Sequence, residues 1–159
     1  MLRLPVILCI GSNKVVGDSL GPRVGDILRE KYNAPAFVYG GLKSPVNGIN
    51  YYEYYKFLKE KHKGCLVIAV DACVGNRDEV GKIKYCTDGL KAGEALGKSL
   101  PRVGDVGVLG VVCERSGDNL KSLTRVNPIF IANMSEKIAY NILRFISPTE
   151  KRNKSLIAL

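Results

Sequence analysis

The run VILCIGSNKVVGDSLGPRVG, residues 6–25, decides the fold. Val6 to Ile10 are apolar at every position, as expected of a central parallel strand covered on both faces. Gly11 ends the run and a polar loop follows. Leu20 to Tyr32 then read as a helix, because Leu20, Val24, Ile27 and Leu28 recur at helical spacing and Pro22 sits in the first turn, where proline is tolerated. A buried strand leading through a glycine loop into a helix is the opening of an α/β sheet. One acidic residue, Asp18, stands between Gly17 and the helix start.

The same alternation continues outward. Ala36 to Tyr39 form a short second strand, followed by the turn-rich loop GGLKSPVNG. Asn47 or Asn50 caps a second helix, Tyr51 to His62, which Gly64 closes at a C-cap. Cys65 to Val70 make a third, wholly apolar strand with Asp71 at its carboxyl end, and Gly81 to Cys86 a fourth. The glycine-bearing segment Thr87 to Asp105 is long for a loop in a compact domain, which marks it as functional or partly structured. Val106 to Cys113 are the fifth strand. In a closing helix, Pro128 to Phe145, residues Ile131, Met134, Ile138, Ile142 and Phe145 line one face. These elements predict one α/β domain over residues 1–147, its sheet covered by helices on both faces, with a frayed tail over 148–159.

Composition narrows the function. With 159 residues and 46% hydrophobic content, the chain supports one sizeable core and is neither disordered nor membrane-embedded. No apolar run approaches the roughly 20 residues that span a bilayer. The N-terminal apolar run is too short for a signal peptide and leads straight into structured sequence, so a cytoplasmic protein is expected. The five cysteines lack CxxC spacing, which argues against a disulfide framework, and a single histidine argues against zinc. The net charge of +9 suits an anionic partner. The Lys and Arg residues are scattered, however, with short runs only at KEKHK and EKRNK, so no specific nucleic-acid partner is expected. Gly11, Gly17 and Gly21 fit neither GxGxxG nor a GK[ST] loop, which leaves no nucleotide-binding signature. Ser-His-Asp and Cys-His hydrolysis need a histidine base, and the only one, His62, falls in a lysine-rich helix end expected on the solvated surface.

Two aspartates remain. In open α/β sheets, sites lie beyond the carboxyl ends of the strands, and both Asp18 and Asp71 are expected there. If strands one and three are neighbours, the carboxylates face one another across a cleft. Such a pair can split its pKa values, so that one group holds a proton while the other acts as base. It could instead hold a divalent metal, which would want further oxygen ligands. The structural alternatives are a helix N-cap for Asp18 and a cap or turn role for Asp71. Ser19 and Asn47 either hydrogen-bond the pair or its substrate, or serve as cap and turn residues.

The stretches GSNKVVGDSLGPRVG, GGLKSPVNGIN, VIAVDACVGNRDEVGKI and GKSLPRVGDVGVLGVV resemble the YyaC sporulation family of spore-forming Firmicutes, in order from about Val6 to Leu143. GDSLGP and VDACVG are the most specific of them. That family is grouped with the spore germination protease and is similar in fold to the hydrogenase-maturation endopeptidases. The resemblance implies a three-layer α/β/α sandwich with a mostly parallel central sheet. It implies an endopeptidase with Asp18 and Asp71 as the catalytic pair, and Gly17, Ser19, Asn47 and Lys98 as substrate-binding or supporting residues. The alternative is a non-catalytic relative that binds a sporulation protein or peptide. In the hydrogenase-maturation enzymes the matching acids help bind nickel together with a later histidine. Thr87 to Asp105 contain no histidine, so a pair without cofactor is expected and a metal at Asp18 and Asp71 is not favoured. The implied partners are protein or peptide substrates such as small acid-soluble spore proteins, and the implied location is the sporulating cell or spore core. The germination protease is made as a zymogen; here almost nothing lies upstream of the first strand to serve as a pro-segment.

Overall fold

A computed structural model describes residues 3–148. The tail expected over 148–159 lies outside the described residues, apart from Pro148. The chain folds around a five-stranded sheet of order β2-β1-β3-β7-β4. Strands β1 (Val6–Cys9), β2 (Phe37–Tyr39), β3 (Val67–Gly75) and β7 (Val106–Glu114) run parallel, and β4 (Ile83–Cys86) is antiparallel at one edge. β1 and β3 are direct neighbours, with Cys9 opposite Val70.

Alternation along the strands builds two apolar layers. Ile7, Cys9, Ile68, Val70 and Val108 face α1 (Leu20–Asp26) and α4 (Pro128–Ile146), which supply Leu20, Val24, Ile131, Met134, Ile138 and Ile142. Val6, Leu8 and Ala69 face the other way, toward α2 (Tyr51–Lys61) and a two-stranded ribbon, β5 (Leu90–Lys91) with β6 (Arg102–Val103). The second layer is thinner, because one helix and a ribbon cover it. The sheet is therefore sandwiched, as the sequence predicts, but unequally.

Several boundaries differ from the sequence reading. The first helix passes after Asp26 into a π turn, Ile27–Lys31. The third strand does not stop at Val70. It runs on to Gly75 because β7 continues to pair with it after β1 has ended. Asp71 is thus an interior strand residue that lies beyond the end of its shorter neighbour β1. The segment Thr87–Asp105 holds β5, a 3₁₀ turn at Glu94–Leu96, and β6. A short helix, α3 (Asn119–Thr124), was not legible; Asp118 caps it by accepting from Lys121 N. Asn50 stands at the N-cap of α2 without capping it, since its Oδ1 accepts from Asn47 N instead. Gly64 lies two residues past the C-cap, His62, with φ of 74°. His62 is not on the open surface: it shares a 2.7 Å hydrogen bond with Tyr39 Oη and packs on the rings of Phe37 and Phe57.

Candidate functional site

The sheet changes direction between β1 and β3. From β1 the chain goes outward to β2, then crosses back to β3. Such a switch point leaves a crevice beyond the strand ends, which is where this fold class places its ligands. Asp18 enters the crevice from a 3₁₀ turn, Gly17–Ser19, held by Ser12 N donating to Asp18 O and Ser19 N donating to Val16 O. Asp71 enters from β3. Together they line a recess of about 30 Å³ with Gly11, Asn47, Gly48, Gly93, Leu96 and Lys98. That is room for one or two water molecules. A roomier hollow of about 490 Å³, at the other end of the sheet near Ile68, Tyr85 and Val106, holds neither aspartate.

The two carboxyls have different surroundings. Asp71 is 4% exposed. Its Oδ1 accepts from its neighbour Ala72 N at 2.9 Å, and its Oδ2 from Gly93 N at 3.3 Å. Burial pushes its pKa well above the ordinary carboxylate value, the nearby Asp18 charge pushes it further, and the two backbone N–H groups offset part of this. Asp18 is only partly buried, and its carboxylate accepts no hydrogen bond from the described residues. Burial raises its pKa to about 6, and the Lys98 ammonium pulls it back down. The surroundings therefore favour a shared proton on Asp71 and the charge on Asp18.

Neither structural alternative for the aspartates holds. Ser19, not Asp18, stands at the N-cap of α1, and no side chain caps that helix. Asp71 is inside a strand and caps nothing. Among the supporting candidates, the structure brings Asn47 and Lys98 to the recess and leaves two outside it. Gly17 packs against Leu123, where a Cβ would crowd the Leu123 carbonyl. Ser19 Oγ donates to Val16 O at 2.6 Å and accepts from Arg23 Nε at 3.3 Å, so it shapes the turn that carries Asp18. Asn47 Oδ1 accepts from Ile49 N. Residues the sequence reading missed are Gly48 and Gly93, which let Lys98 in, and Tyr51, which is fully buried and donates to Pro101 O, anchoring the ribbon to α2. The signal for Gly48 and Gly93 was present only as glycines in loops.

A nickel ion does not fit this donor set. No three His, Cys, Asp or Glu side chains gather among the described residues, both Asp71 oxygens already accept backbone N–H groups, and a lysine supplies the positive charge.

Residues 2–141 match the family described as "Protein of unknown function (DUF1256)". The chain belongs to this family. It is 40% identical over 107 residues to "Uncharacterized protein YyaC" of Bacillus subtilis (strain 168), a match covering 67% of this chain and 52% of that protein. The chain thus spans about half the length of the curated relative it matches. In fold it is similar to the [NiFe] hydrogenase maturation protease HycI from Thermococcus kodakarensis KOD1, with TM-score 0.59, 18% identity, and coverage of 90% of this chain and 92% of that one. It is also similar to HybD from the same species, with TM-score 0.55, 14% identity, and coverage of 91% and 100%. The architecture is accordingly a protease-like α/β fold with a mostly parallel sheet.

Proposed function

We propose that this protein is an endopeptidase that hydrolyses peptide bonds with Asp18 as general base and Asp71 as general acid. One observation carries the reading: two carboxyls in unequal surroundings, Asp71 buried against backbone N–H groups and Asp18 near the Lys98 ammonium, line one water-sized recess at the switch point of the sheet. Water in the recess gives a proton to Asp18 and attacks the peptide carbonyl carbon. Asp71 hydrogen-bonds the carbonyl oxygen and then delivers its proton to the departing amine as the C–N bond breaks. The long contact from Gly93 N leaves Asp71 Oδ2 as the oxygen that carries the proton. Proton transfer between the two carboxyls then restores the pair. A groove of about 570 Å³ between Leu96–Lys98 and Gly117–Leu120 adjoins the recess through Leu96 and Lys98, and offers an approach for an extended polypeptide.

The substrates we propose are protein segments such as small acid-soluble spore proteins. The proposed location is the cytoplasm of the sporulating cell or the spore core. No helix among the described residues is long and apolar enough to cross a membrane. The test is mass-spectrometric mapping of cuts in those proteins and in peptide libraries, with wild type, Asp18→Asn and Asp71→Asn, each with and without chelator. Defined cuts that vanish in both variants and survive chelator support the proposal. No cuts at any pH from a folded wild type would replace it with the reading of a peptide-binding relative.

A further inference from the structure

Lys98 reaches the recess by an unusual route. Its backbone N–H donates to Gly93 O at 3.1 Å, while Gly93 N donates to Asp71 Oδ2. The loop that carries the lysine is therefore tied directly to the buried aspartate. Gly93 has φ of 71° and its Cβ position lies 3.1 Å from Lys98 Cβ, so a side chain there would be both strained and crowded. On the other wall, a Cβ on Gly48 would overlap the ammonium Nζ and press within 3.1 Å of Cδ and 3.2 Å of Cε. Two glycines from separate loops thus form a slot that the lysine stem fills. Lys98 takes part in none of the ion pairs among the described residues, so its charge is not spent on a surface carboxylate.

We infer that Lys98 is the resident cation of the site, held in the Gly48–Gly93 slot so that its ammonium balances the Asp18 carboxylate. Lys98 is a positioning residue, acting through Asp18. The inference rests on the carboxylate-pair reading of the recess, and it holds whether or not the pair cuts peptides. The titratable groups that line a cavity together with Lys98 are Asp18 from the loop after β1, Asp71 from β3, and Asp118 across the adjoining groove. Only Asp18 and Asp71 share the recess with it.

The test needs no substrate. Aspartate carboxyl carbons are titrated by ¹³C NMR in wild type, Lys98→Met, Lys98→Arg, Gly48→Ala and the control Lys91→Met. An opposite charge nearby shifts a carboxyl by one unit or more. The Asp18 midpoint should therefore rise by roughly one unit, a tenfold change in proton affinity, in Lys98→Met. It should move part of the way in Gly48→Ala, which pushes the end of the lysine side chain aside but keeps its charge, and stay in place in Lys98→Arg and Lys91→Met. An unmoved Asp18 midpoint in folded Lys98→Met overturns the inference. If Lys98→Met does not fold, the midpoint in Gly48→Ala decides. Failure of peptide cleavage alongside these shifts would remove the peptidase proposal and leave Lys98 as assigned.

Discussion

Replacing Asp18 by asparagine should make the protein more stable at neutral pH and flatten its acid dependence. The folded Asp18 carboxyl keeps its proton up to about pH 6, against 3.8 for the ordinary group, because burial penalises the charge. Between those values the folded state binds a proton that the unfolded state has released, so stability falls as pH rises through the window. Below it both states are protonated and the penalty is absent; above it the penalty is complete. A difference of about two units, at about 1.4 kcal/mol each, puts the full penalty at about 3 kcal/mol. Asparagine has nearly the same shape, and no hydrogen bond to the Asp18 carboxylate is lost. The variant should therefore gain about 2–3 kcal/mol at pH 7 and nothing at pH 3.5. It also removes the charge that raises Asp71, so the remaining fall in stability toward alkaline pH should become shallower. Urea unfolding followed by far-UV circular dichroism at half-unit steps from pH 3.5 to 8 measures this. Equal slopes in wild type and variant between pH 4 and 6 would refute the assignment of a strained, ionised base at position 18. A gain of this kind is what a site held in a costly state for function should show.

Two further predictions concern the framework that places the pair. Gly21→Ala should cost at least about 2 kcal/mol, because its Cβ would strike the Ile10 carbonyl where α1 packs on the end of β1; a variant with an unchanged urea midpoint would contradict that contact. Ile138→Ala removes a fully buried side chain of α4 from the larger apolar layer and should cost about 2–5 kcal/mol by thermal or urea unfolding, with the Asp18 titration unchanged because the recess lies beyond the strand ends.

The parts of this fold that were readable from sequence are those dictated by local periodicity. The apolar runs at Val6 and Val67 could only be covered strands, and the spacing of Leu20, Val24 and Leu28 could only be one helical face; their packing against Met134 and Ile138 follows from that. What was not readable depends on partners distant in sequence. The extension of β3 to Gly75 exists because β7 continues beside it, and nothing in VDACVG itself announces nine strand residues. The ribbon at Leu90 and Val103 is held by burial against α2 and by Tyr51, not by a strong hairpin turn. The same distinction divides the site. Asp18 and Asp71 were visible as acids next to apolar strands, where a charge is costly and so calls for a reason. Ser19 and Gly17 were not separable from them by position, although one ties down a turn and the other meets Leu123. Gly48 and Gly93 looked like ordinary loop glycines, yet between them they decide whether a lysine can stand over the carboxylates. Charge in this site is set by backbone that makes room, and a missing side chain carries no mark in the sequence of what will occupy its place.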